Sequence, residues 1–314
     1  MNTMQRGIYV YRIIAFMAAA SLSVPLAAPA LGQAQPVADS APEPIVVTGE
    51  RAEQAKAAGK QGQAITQRPL EDYPLARRYA PLCLYTFGIN REAGEVLAER
   101  ITANAQVLGL RTGGKGCKPN AWIGFVRNSK AAVVQLRKTQ PEMFGTLQKT
   151  EIDRIFGGSG AAQVWHTTEQ RTIDGRALTN LQIGDTTVKS TSLYQPGRLG
   201  SPIRSDILGS IVIFDMARVG GKSLLQLADY ATFRILAQVQ DLPQVAPQTL
   251  PSILTLFAEQ AETAPDGLTE FDWAYLAGFY RMERGARSLA TSDATERAML
   301  DGTATRLSVK GRPD

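Results

Sequence analysis

The period of hydrophobic and polar positions changes several times along this 314-residue chain, and each change marks an element. In "EAGEVLAERITANAQVLGL", Val96, Ile101, Ala105 and Leu108 recur near helical spacing and Gly109 closes the run, predicting a helix from about Glu92 to Leu108. After Cys117, "AWIGFVRN" alternates as a strand, "SKAAVVQLRKT" is helical before Pro141, and "TEIDRIF" is a shorter helix ended by Gly157 and Gly158. The pattern then turns β-prone. "AQVWHTTEQRTIDGRALTNLQI" reads as two runs around Asp174-Gly175, a hairpin signal, and "TTVKSTSLY" supplies a further strand. Ile211, Val212, Ile213 and Phe214 are consecutive and apolar, so "DILGSIVIFD" predicts a buried strand. "SLLQLADYATFRILA" is a helix apolar almost all round, which belongs in a core. A last helix opens at "LTEFDWAYLAGFY", with Thr269 at the N-cap and Asp272 three residues on.

Runs of helix and runs of strand in this order predict an α+β fold: a mostly antiparallel sheet with packed helices, one disulfide and a flexible N-terminal arm. Residues 33–67 are rich in Ala, Pro, Gln, Gly and charge, bury too little to offset chain entropy, and are expected to be a flexible linker. Residues 68–300 are expected as a single domain and 301–314 as a flexible tail.

Residues 1–32 read as a general secretion signal: Arg6 and Arg12 precede an apolar run from Ile13, small residues follow, and cleavage is expected after Gly32 or Ala34. No second apolar stretch of about 20 residues follows, so no membrane span is expected after cleavage, and the expected compartment is periplasmic or extracellular. Without Arg6 and Arg12 the formal charge of +5 becomes +3. The remaining basic residues are scattered and do not alternate with aromatics, which argues against nucleic acid. Two cysteines in an exported chain predict one disulfide, Cys83 to Cys117, which would stabilise by roughly 3 to 4 kcal/mol on the chain-entropy model.

Candidate chemistry is sparse. "ARVGGKSLL" would place the first P-loop glycine at Met216, so Gly220 and Gly221 read as a turn and Ser223 as a helix cap. "GGSGA" places Ala161 where a nucleophile elbow around Ser159 needs glycine. His166 is the only histidine, which excludes H-E-x-x-H and His-rich metal sites and would make it the base of any Ser-His-Asp triad. No metal and no cofactor is expected. Carboxylates remain: Asp215 at the end of a buried strand and Asp229 on a buried helix are the candidate catalytic residues, with pairing of Asp229 to Arg204 or Arg234 as the structural alternative.

Three resemblances add to these readings. "LQLADYATFRILA", "SILTLF" and "LTEFDWAYLAGFY" resemble the C-terminal half of a family of uncharacterised exported bacterial proteins, a domain of unknown function, over about residues 68 to 285; this implies no activity. A strand followed by a buried helix is similar to the zincin arrangement, with Ala228, Asp229 and Thr232 where His, Glu and His would stand, which implies a metal-free relative. "IVVTGE" resembles the TonB-contacting segment of outer-membrane receptors, although the chain lacks the strands of about ten residues that build their barrel. That likeness makes Ile45, Val46, Val47 and Thr48 candidate binding residues that would add a strand to an envelope protein partner through residues 42–52, the alternative being that the run pairs with this protein's own sheet or stays a mobile linker. The function expected is an exported, non-catalytic binding or envelope-associated protein, the alternative being a carboxylate-dependent hydrolase of the cell envelope.

Overall fold

The computed structural model describes residues 49–69, 73–145, 147–158, 160–190, 201–240, 250–258 and 264–311. The signal segment and Ile45 to Thr48 lie outside the described residues. Strand β7, Ile203–Asp215, organises the rest. One of its sides takes β1, Ala76–Arg77, in parallel at Ser205 and Asp206, and then β3, Ala121–Val126, in parallel from Ser210 to Asp215. The short strand β2, Leu84–Phe87, extends the sheet beyond β3, again in parallel. On the other side of β7, β4, Ala162–Thr172, pairs antiparallel along almost the full length, with a register shift between Thr167 and Thr168.

The main sheet is therefore mostly parallel, which corrects the antiparallel expectation. Its cause is connectivity. Helix α2, Arg91–Val107, joins β2 to β3 as a crossover, and a crossover returns the second strand in the same direction. The apolar run 211–214 carries the same information, since a strand buried on both faces is typical of parallel sheets. Val212 and Phe214 face the larger core with Val164, while Ile211, Ile213 and Trp165 face a smaller one with Val133, Phe144 and Ile155.

The chain turns back at Asp174-Gly175 as expected, with the Thr172 amide donating to the Arg176 carbonyl at 2.9 Å, the Gly175 amide to the Thr172 carbonyl at 2.8 Å and an antiparallel bridge from Arg171 to Ala177. Beyond that bridge, however, β4 pairs with β7 and not with the run that follows the turn. The hairpin that forms is β5, Thr179–Ile183, with β6, Thr186–Ser190, separate from the main sheet and turning at Gly184, where φ is +58°. The smaller core is covered by α3, Ser129–Thr139, and α4, Lys149–Gly157. The larger one is covered by α2 and α5, Leu224–Leu236. Ser223 caps α5 in a capping box, as the turn reading of "VGGKS" requires. In α2 the inward face is Leu97, Ile101, Asn104 and Ala105; Val96, expected inside, is exposed.

Behind α5 lie α6, Glu270–Arg281, α7, Ala290–Leu300, and α8, Thr303–Lys310. The Thr269 and Asp272 capping box opens α6. Two boundaries move. Residues 49–65 of the expected linker form helix α1, Gly49–Ile65, with Ala55, Ala58, Gly59, Gly62 and Ile65 buried, and residues 303–310 of the expected tail form α8. Composition misled here because glycine and alanine read as chain that cannot bury area, yet they are what lets helices touch closely. A Cβ on Gly59 would lie 2.9 Å from the Ser292 carbonyl and one on Gly62 would lie 2.7 Å from Thr295 Oγ1, both on α7.

Candidate functional site

The two candidate carboxylates occupy separate places in the fold. Asp229 is fully buried, and α5 holds it against α2. Arg100 Nε and Nη2 donate to its two oxygens at 2.7 and 2.8 Å, a bidentate pair, and Asn104 Nδ2 at 2.6 Å and the Leu268 amide at 3.0 Å add to them. The partner is thus Arg100, not Arg204, which pairs with Asp206, nor Arg234, whose Nη1 donates to the Tyr230 hydroxyl. Thr232, which stands with Ala228 and Asp229 in the zincin-like register, accepts from Asn104 and donates to the Ala228 carbonyl of its own helix, so Asp229 and Thr232 tie α5 to α2.

Asp215 ends β7 and accepts from the amides of Ser129, at 3.0 Å, and Ala217, at 3.1 Å. It sits at the start of α3, where a carboxylate suits the helix dipole. Burial alone would raise its pKa, but these donors outweigh burial and hold it below the ordinary value. No hydrogen-bond partner is common to Asp215 and Asp229 among the described residues.

A serine and a histidine do meet across the sheet. Ser210 of β7 stands opposite His166 of β4. Both turn to the C-terminus of α5, where a helix leaves its last carbonyls without partners. His166 Nε2 donates to the Arg234 carbonyl at 2.8 Å, Ser210 Oγ to the Ile235 carbonyl at 2.9 Å, and the Tyr280 hydroxyl to the Leu236 carbonyl at 2.8 Å. His166 thus carries its proton on Nε2, and desolvation draws its pKa down to about 3. It is neutral at physiological pH and too weak a base to activate a nucleophile. Arg78, 4% exposed, reaches Ser210 Oγ at 2.6 Å and has no carboxylate partner among the described residues, so the negative end of α5 faces it through Ser210. Burial lowers Arg78 to about 10, still charged at neutral pH.

A larger concavity lies elsewhere. A groove of about 980 Å³ runs between the end of α6, the loop that follows and α7. Gly278, Met282, Ala286, Ala290, Ala294 and Ala298 make an apolar floor, and Arg281, Arg284, Arg287 and Arg297 stand along it with Glu283 and Asp301. Arg281 is held by Asp301 at 3.3 Å and Thr303 at 2.7 Å. Arg284 donates to the Ile173 carbonyl at 3.4 Å, and Arg297 donates through Nε to the Asp293 carbonyl at 3.2 Å.

The loop is fixed from behind. Buried Arg77 of β1 donates to the carbonyls of Phe279, at 3.2 Å, Met282, at 2.6 Å, and Glu283, which closes the end of α6. Gly285 lies so close to Ser201 that a Cβ there would come within 2.8 Å of the Ser201 Cβ. Sequence reasoning missed this site. Its signal is the spacing of Arg281, Arg284 and Arg287 in "RMERGARSL", three apart across a helix end.

Cys83 and Cys117 form the expected disulfide, with Cα atoms 6.0 Å apart. Among the described residues no group of three or more His, Cys, Asp or Glu is placed to hold a metal ion, and no helix is long and apolar enough to cross a membrane. Ser159 lies outside the described residues. No family model, no curated protein and no solved structure matches this chain.

Proposed function

We propose that the chain is exported by general secretion and acts in the cell envelope as a non-catalytic binding protein, with the groove between α6 and α7 as its ligand site. The observation that carries this reading is the groove: four arginines over an apolar floor, held on a loop that Arg77 and Gly285 fix in place. A preformed concavity with a few placed polar groups is what a small-molecule site requires. The disulfide agrees with an oxidising compartment. The hydrolase alternative gains no support, because the oxygens of Asp229 hold Arg100, Asn104 and the Leu268 amide, and Asp215 serves the start of α3. Ile45 to Thr48 is retained as a proposed contact to an envelope partner.

Thermal unfolding of the mature chain with and without an extract of envelope small molecules tests the reading. The extract should raise Tm for the wild type but not for the Arg284→Glu, Arg297→Glu double variant. An equal rise in both proteins, or none in either, overturns it.

A further inference from the structure

The groove has the chemistry of one class of ligand, and we propose that it binds an anionic amphiphile: a single acyl chain ending in a phosphate or carboxylate. The inference rests on the binding reading above and adds the identity of the ligand class. The floor comes first. Ala290, Ala294 and Ala298 recur every four residues and so line one face of α7; Gly278 packs on Ala294 and closes the bottom, and above that contact Met282, Ala286, Ala290 and exposed Leu289 present apolar surface without a hydrogen-bonding side chain. Such a surface is matched by methylene groups, whose burial is favourable by about 0.8 kcal/mol each.

The arginines come next. Arg281 is paired with Asp301, so the charge that selects a ligand comes from Arg284 and Arg297. Arg297 spends only Nε, on a backbone carbonyl of its own helix, and among the described residues its terminal nitrogens have no protein partner. Among the described residues the Arg284 guanidinium makes one long hydrogen bond, at 3.4 Å. A guanidinium presents its donors as a planar fork that suits phosphate and carboxylate oxygens.

Other anions fit less well. Among the described residues no Phe, Tyr, Trp or His lines the groove, so none of them offers the ring on which a nucleobase stacks. Four arginines against two carboxylates also give too small an excess for a polyanion that neutralises many charges. The volume of about 980 Å³ lies within the roughly 300 to 1,000 Å³ of small-molecule sites. Leu289, 68% exposed at the mouth, offers further apolar surface to a chain leaving the trough.

Calorimetry on the mature chain with three probes below their micellar concentrations tests the assignment: dodecyl phosphate, inorganic phosphate and dodecyl maltoside. Dodecyl phosphate should bind at least about tenfold more tightly than either of the others, and the Arg284→Glu, Arg297→Glu double variant should lose at least about tenfold of that affinity. A control with the same charge change elsewhere, Lys115→Glu with Lys130→Glu, should bind like the wild type. Ala290→Trp, which fills the trough, should abolish binding without altering the unfolding midpoint by more than a few degrees. Equal binding of dodecyl phosphate and inorganic phosphate, or equal loss in the lysine control, overturns the amphiphile assignment. If dodecyl phosphate fails while the envelope extract still raises Tm in an arginine-dependent way, the ligand class is wrong and the groove reading stands. If both fail, the groove reading falls with it.

Discussion

Arg77 and Arg78 are neighbours in sequence, and each serves a different helix end. Arg77 takes three carbonyls at the close of α6, and Arg78 backs Ser210 at the close of α5. Neither contact was legible in the sequence, because two consecutive arginines read as solvated charge until a two-residue strand places them inside. Asp229 was legible as a buried carboxylate needing a partner, but its partner lies 129 residues away on α2. Since that pair is desolvated, Asp229→Ala should cost about 3 to 5 kcal/mol in urea unfolding, and the double change with Arg100→Met should cost less than the sum of the singles. Simple additivity would contradict the pairing. Two further groups give opposed pH dependence. The folded pKa of His166 is lowered to about 3, so its contribution to stability is lost as pH falls from about 6.5 toward 3. Burial raises Asp272 to about 6 despite donors from Ser252, Ile253 and Thr269, so its contribution is present below about 3.8 and lost as pH rises through 6. Asp272→Asn should therefore make stability rise more steeply with pH between 4 and 6 than in the wild type. An unchanged slope would contradict the assignment. The single histidine resonance should not titrate above pH 5.

The elements were easier to read than their neighbours. The positions of α2, α3, α4, α5, α6, β3 and β7 follow from period and caps, since Asn90, Asn128, Ser223 and Thr269 each accept a backbone amide hydrogen bond at a helix start. Pairing did not follow, because β2 is only four residues long and lies in a segment whose pattern is too brief to show. Without β2 there is no visible crossover, and the sheet looks antiparallel. Helix α1 was hidden by its composition, although its glycines are the means by which it approaches α7. Gly278 of α6 meets α7 from the other side, where a Cβ would lie 2.5 Å from the Ala294 carbonyl. With α7 held on both sides by such contacts, Gly62→Val should destabilise by about 1 to 3 kcal/mol in chemical denaturation. Limited trypsinolysis should likewise leave Lys56 and Lys60, exposed on a docked helix, uncut while the fold persists. Rapid cleavage at both, with no change in Tm, would show that α1 does not belong to the domain.

At the scale of the whole molecule, one disulfide, a mostly parallel sheet and a rear layer of helices present a groove of about 980 Å³. Cys83 and Cys117 were legible because two cysteines in a chain with a secretion signal leave one pairing, and replacing both by serine should lower stability by roughly 3 to 4 kcal/mol. The groove was not legible, because α6, the loop and α7 form it only after Arg77 and Gly285 set the loop in place. Nuclear magnetic resonance of the mature chain labelled with nitrogen-15 at arginine locates the ligand site most directly. On titration with the envelope extract, the Nε–H signals of Arg284 and Arg297 should move, while those of Arg100 and Arg78, buried in the ties of α5, should not. Movement confined to Arg100, which would place the ligand at Asp229, or no movement at any arginine, would contradict a binding protein that works through this groove.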